Sequence, residues 1–288
     1  MQNYILFTDS GCDIPLDTLN DWGVKSIPLS FKFKDSDKEY KNGDIESKEF
    51  YDRMREGAVA TTSAINMETF KDAFREVLKE GQDVLYLGFS SGLSTTYNSA
   101  RMAAEELKEE FPDRKILAVD TLCASAGQGL LVYLTVEKIK SGATIEEAAA
   151  YAEDTKKGLC HWFTVDDLVY LKRGGRVSPT VAFVGGLLGI KPILHVDDEG
   201  HLINMGKVRG RTAALTALAD KIGENAGGKP NSPIYICHAD CMNDVETLKG
   251  MIKDKYNLPI DMVVDIGAVI GAHAGPGTIA VFFTGKER

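Results

Sequence analysis

Cysteine is scarce and odd in number. Cys12, Cys123, Cys160, Cys237 and Cys241 are scattered through 288 residues. Such a set argues against a disulfide framework and for reduced thiols. No apolar run reaches membrane-spanning length. The longest, Val181 to Leu194, is interrupted by Gly185, Gly186, Gly189, Lys191 and Pro192. The chain starts Met1-Gln2-Asn3-Tyr4 and enters a strand by Ile5, with no charged-then-apolar leader. A soluble cytoplasmic protein is the expectation. Basic residues are outnumbered: Lys plus Arg is 33 against 42 Asp plus Glu, for a net charge of −9. That balance argues against general nucleic-acid binding. The common catalytic and nucleotide signatures are missing as well. Gly206-Lys207-Val208-Arg209-Gly210-Arg211 is no Walker A loop, because its lysine precedes the second glycine. No G-x-G-x-x-G follows the first strand, no H-E-x-x-H exists, and no G-x-S-x-G elbow surrounds a serine.

Hydrophobic residues make up 44% of the chain, enough for a large core and for two domains. The first half alternates strands and helices. Tyr4 to Thr8 is an apolar strand that stops at Asp9-Ser10, the end at which open α/β sheets hold ligands. Lys25 to Phe33 reads as one further strand and Lys34 to Asn42 as an exposed hairpin or loop. Met67 to Lys79 is an amphipathic helix, and Thr144 with Glu147 has capping-box spacing. This order predicts a mainly parallel sheet flanked by helices over residues 1–158. The pattern changes after Gly158. Ile190 to His195 and Leu202 to Lys207 pair around an Asp-Asp-Glu-Gly turn, and residues 159–288 read as a smaller α/β domain.

The most informative stretch is Val84 to Tyr97. An apolar strand runs into Ser90-Ser91-Gly92-Leu93-Ser94-Thr95-Thr96 and then into a helix from about Asn98 to Phe111. Helix starts carry free N–H groups and partial positive charge, so hydroxyls there either cap the helix or help to hold an oxyanion. Thr62-Ser63 reads as a second hydroxyl pair at a helix start. Gly271 to Gly277 reads as a glycine-rich loop that would let the His273 imidazole approach an anion. Against that stands the plain reading of His273 as a structural histidine. Cys237-His238-Ala239-Asp240-Cys241 is a poor metal motif, because neighbouring strand residues face opposite ways. No metal site is expected. Arg173, Arg176, Arg209 and Arg211 form basic segments in an acidic chain. They suit phosphate or carboxylate contacts, or else a solvated face.

Together these motifs resemble the DegV family of bacterial fatty-acid-binding proteins, which includes the binding subunit of fatty acid kinase. The resemblance rests on Asp9-Ser10, Thr62-Ser63, Ser90 to Tyr97, Gly127-Gln128-Gly129, Gly174-Gly175-Arg176, Ile190-Lys191-Pro192-Ile193 and Gly271 to Gly277. It runs from about Ile5 to Phe283 and implies a two-domain α/β fold with a lipid tunnel between the domains. It further implies one bound long-chain fatty acid, no other cofactor, and no catalytic residue in this chain. By resemblance, Thr62, Ser63, Ser94 and His273 hold the carboxylate, and Thr95 beside Ser94 is expected to belong to the same site. The partner implied is the ATP-binding subunit of fatty acid kinase; the basic residues Arg173, Arg176, Arg209 and Arg211 are the expected docking residues, with Arg176 foremost. Thr95 stands where the family usually has glycine, and Ala64-Ile65 where it has Gln-Pro. Two other classes stay open: an enzyme using Ser94 as nucleophile, and a lipid-responsive regulatory sensor.

Overall fold

A computed structural model describes residues 3–177 and 189–288. The apolar run beginning at Val181 lies outside the described residues as far as residue 188. The first half of the chain contains β1 (Tyr4–Asp9), α1 (Leu16–Asp21), β2 (Val24–Ile27), β3 (Ser30–Phe33), β4 (Glu39–Lys41), α2 (Ser47–Arg55) and β5 (Ala60–Ser63). It continues with α3 (Met67–Lys79), β6 (Asp83–Gly88), α4 (Thr96–Glu110), β7 (Ile116–Asp120), α5 (Ala126–Lys140) and α6 (Ile145–Thr155). Then follow β8 (Leu159–Thr164), α7 (Val169–Arg173), β9 (Ile190–Val196), β10 (Leu202–Arg209) and α8 (Arg211–Ala226). Last come β11 (Tyr235–His238), α9 (Met242–Tyr256), β12 (Met262–Asp265), α10 (Ala268–Ala274) and β13 (Ile279–Thr284).

These elements make two α/β units. The first has a parallel sheet in the order β2-β1-β6-β7 and a small antiparallel sheet in the order β4-β3-β5. The second has six strands in the order β10-β9-β8-β13-β11-β12, with β11 and β12 the parallel pair. The expected strand over Lys25–Phe33 is two strands in two sheets. Pro28 lies between them, and its missing N–H ends the parallel ladder.

Helix α5 joins the units. Ala126 to Val132 are buried without a break, so this segment has no solvent face. Its glycines explain how. A Cβ on Gly127 would clash with His161 and Phe282 of the six-stranded sheet. One on Gly129 would clash with Ile14 beside the parallel sheet. Gln128 donates to Thr8 Oγ1 at 3.0 Å between them. One apolar core therefore runs from Phe7 and Leu85 through Leu130 to Phe163 and Phe282. A second core lies under α8 and α9 on the outer face of the larger sheet.

Candidate functional site

Four segments meet where the two units face each other. The first is the end of β1. Asp9 is fully buried and accepts from Gly11 N at 2.9 Å, Tyr86 OH at 2.6 Å and Phe89 N at 2.9 Å. Burial pushes its carboxyl above the usual range although each donor opposes the shift. Asp9 thus shapes the turn and fixes the start of the Phe89–Thr95 loop.

That loop is the second. Ser90 is buried and donates to Gly200 O at 2.9 Å across the interface. Ser94 Oγ lies 2.9 Å from Thr96 Oγ1 and accepts from Thr96 N at 3.2 Å, at the start of α4. Thr95 sits at φ −77° in the right-handed region, so a residue with a Cβ is accommodated where the family usually has glycine.

The third is β5. Thr62 and Ser63 belong to this strand and pair with Phe31 and Ser30, rather than standing at a helix start. Helix α3 is capped instead by Asn66, whose Oδ1 accepts from Thr69 N at 2.9 Å.

The fourth is α10. The expected glycine-rich loop is helical from Ala268 to Ala274, and only Gly275 to Gly277 continue as a loop. His273 lies in the last turn. Its Nε2 is 2.8 Å from Thr62 Oγ1. Its Nδ1 has no partner among the described residues and packs against Gly174, where a Cβ would clash with it. Gly174 is therefore what lets α7 close over the imidazole.

Arg176 completes the group. Its Nε donates to Leu93 O at 3.2 Å, and its Nη1 donates to Gly174 O. None of the described carboxylates forms an ion pair with it. Burial lowers its pKa. Burial and the nearby Arg176 charge together push the His273 imidazole down to about 4, so it is neutral at physiological pH.

Thr62, Ser63, Ser94, Thr95, Arg176 and His273 all line one cavity of about 520 Å³. Leu29, Phe89, Leu93, Phe163, Leu171, Val269, Ile270 and Phe282 supply much of the remaining wall. The cavity thus gathers hydroxyls, an imidazole and a cation against an apolar interior. The other arginines lie elsewhere. Arg211 is committed to Asp244, Asp166 and Gly277 O. Arg173 and Arg209 are exposed, the former with its guanidinium over the Tyr170 ring. Sequence reading grouped Arg176 with these surface residues. The adjoining Gly174-Gly175 pair was the available sign that its backbone packs closely against another element. No group of three His, Cys, Asp or Glu side chains suited to a metal occurs among the described residues.

An α/β protein with a largely apolar cavity that carries hydroxyls, imidazole and a cation in its wall is defined by this fold and site. The chain belongs to the DegV family, whose model, described as "Uncharacterised protein, DegV family", matches residues 4–286. It is 43% identical over 290 residues to a DegV domain-containing protein of Clostridium perfringens, covering 100% of this chain and 99% of that one. It is 35% identical to a Thermotoga maritima protein named fatty acid-binding protein, covering 98% of each. A Thermus thermophilus structure described as fatty acid binding of a DegV family protein matches with a TM-score of 0.86 at 32% identity, over 99% of this chain and 100% of that one. A stearic acid-binding protein of Eubacterium ventriosum matches with a TM-score of 0.88 at 27% identity, over 98% of each.

Proposed function

We propose that this chain binds one long-chain fatty acid in the cavity and presents its carboxylate to a separate kinase subunit, which forms the acyl phosphate. The observation that carries the binding half is the gathering of Thr62, Ser94, His273 and Arg176 in the wall of one largely apolar cavity. Thr62, Ser63, Ser94 and Thr95 supply hydroxyls for the carboxylate and His273 an imidazole. Arg176 joins them as a half-buried cation whose desolvation an arriving anion would offset. The hydrocarbon chain would fill the rest. At about 0.8 kcal/mol per buried CH₂, roughly fourteen methylenes give a gross gain on the order of 11 kcal/mol. Ordering of ligand and protein removes part of it.

The kinase half rests on the family resemblance and on exposure. Ser63 and Thr95 are both open to solvent, so a carboxylate between them is within reach of an external subunit. The role of this chain is then that of a carrier. The geometry of Ser94 supports that role over nucleophilic catalysis. Its hydroxyl is engaged with Thr96, the His273 imidazole is engaged with Thr62, and the His161 imidazole, which also lines the cavity, is bonded through Nδ1 to Leu159 O. Nucleophilic catalysis would need a base in contact with the serine.

Denaturing extraction of the purified protein, followed by mass spectrometry of the released lipid, tests the binding half. About one long-chain acid per chain is the expected yield, on the area argument above. Lipid-free protein from a lipid-containing host would overturn it.

A further inference from the structure

A second concavity of about 520 Å³ lies behind the first, lined by residues that include Ser10, Asp13, Asn42, Asp265 and Gly267. What separates the two is thin. Ser125 and Cys237 line the first cavity and Asp13 lines the second. Ser125 Oγ donates to Asp13 Oδ2 at 2.6 Å and lies 3.3 Å from Cys237 Sγ. The turn before α10 is divided in the same way, with Ile266 facing the first cavity and Gly267 the second. Gly267 N donates to Asp13 Oδ1 at 3.1 Å, which ties the partition to the helix that carries His273.

We infer that this Asp13–Ser125–Cys237 partition sets how much hydrocarbon the lipid cavity accepts, by stopping an acyl chain from running on into the second concavity. The inference rests on the fatty-acid reading above.

Three observations support a dedicated wall. Ser125 is held at φ 53°, ψ −145°, a conformation that side-chain-bearing residues rarely adopt. Ser125 N donating to Gly11 O at 2.8 Å and the Asp13 bond together hold it there. Asp13 is itself left-handed at φ 55°. An ordinary strand-to-helix junction needs neither of these conformations. The wall is also chemically unsuited to hydrocarbon. Burial has already pushed the Asp13 carboxyl up to about 7, against the pull of its Ser125, Gly267 and Asn42 partners. An acyl chain that broke through to the far side would meet this carboxyl and strip more water from a group that is poorly solvated to begin with. Finally, the wall is one hydrogen bond thick, so small changes there alter capacity without moving the carboxylate site.

The test is a chain-length profile, measured by calorimetry with saturated acids from about C12 to C22, lengths chosen to bracket the buried-methylene estimate. The double variant Ser125→Gly/Cys237→Ala relaxes the φ restriction and thins the wall. Its affinity for C20 and C22 acids relative to C16 should rise at least about tenfold, the equivalent of about two methylenes. Cys237→Met thickens the wall on the lipid side and should weaken the longest acids that wild type binds while sparing shorter ones. It carries the test alone if the double variant does not fold. An unchanged profile in Cys237→Met, or in both variants where both fold, overturns the partition and leaves the fatty-acid reading intact. Wild type that binds no acid of any length overturns both.

Discussion

At the scale of single residues, the site is governed by charge in a half-dry place. His273 is depressed from the ordinary 6.5 to about 4 by burial first and Arg176 second. A group so depressed takes up its proton more readily in the unfolded chain. Its contribution to stability is therefore complete above about pH 6.5 and is lost as pH falls from there towards 4. His273→Gln should reduce the drop in melting midpoint between about pH 7.5 and about pH 5. A bound carboxylate should do likewise in wild type, because a neighbouring negative charge raises the imidazole pKa. Equal acid sensitivity with and without palmitate would place the carboxylate away from His273. Ser94→Ala should weaken palmitate binding by about 1.5–3 kcal/mol, the worth of a hydrogen bond to a charged group. The corresponding alcohol should lose less. Equal losses for acid and alcohol, measured by competition, would mean that Ser94 serves only to cap α4. The hydroxyls and the histidine were legible in the sequence because their residue types carry the chemistry. Arg176 was not legible as a cavity residue, since the Gly174-Gly175 pair beside it signals close backbone packing but not which way the side chain faces.

At the scale of elements, helices with strong local signals were readable, whereas two short elements at the site, β5 and α10, were not. The capping box at Thr144 is present as its spacing predicts, with Glu147 N donating to Thr144 Oγ1 at 3.2 Å and Thr144 N donating to Glu147 Oε2 at 2.8 Å. Strand β5 has four residues and no alternation, and it exists because β3 offers it a partner. Helix α10 has seven residues and glycine at three nearby positions, so its local preference is for loop. It is held by burial, by Gly267 bonded to Asp13 and by Val269 N donating to Asn42 Oδ1 at 3.2 Å. Helix α5 shows how element packing depends on a missing side chain. Gly127→Ala should destabilise the protein by about 1–3 kcal/mol through overpacking against His161 and Phe282. Gly250→Ala in α9 meets nothing within 4 Å and should stabilise by up to about 1 kcal/mol. Urea titration of the pair checks both signs. A neutral Gly127→Ala would mean that α5 can shift off the larger sheet.

At the scale of the whole molecule, both units line one cavity, and on the proposed reading its size sets what it binds. If the cavity takes an acyl chain, butyrate should bind weakly and palmitate tightly, since each added methylene contributes about 0.8 kcal/mol until the space is filled. Equal affinities by calorimetry would remove the acyl-chain reading. The cavity's polar wall groups also change how the arginines divide between lipid and partner. Arg176 faces the cavity and Arg211 is paired with Asp166 and Asp244, whereas Arg173 and Arg209 are exposed. On a chain of net charge −9, exposed arginines give local positive potential that would steer an acidic partner. Arg176→Ala should therefore reduce lipid content itself. Arg211→Ala should lower stability, because it leaves Asp244 and Gly277 O without their donor. Arg173→Ala and Arg209→Ala should keep both lipid and stability, yet lose acyl phosphate formation with a cognate kinase. The wild-type reaction should weaken with added salt, which screens contacts between exposed charges. The assay pairs acyl phosphate production with lipid content in the same preparation. Full activity in Arg173→Ala and Arg209→Ala would move the docking surface elsewhere on the molecule. An Arg176→Ala protein that keeps its full lipid load but no longer supports the kinase would return Arg176 to the partner.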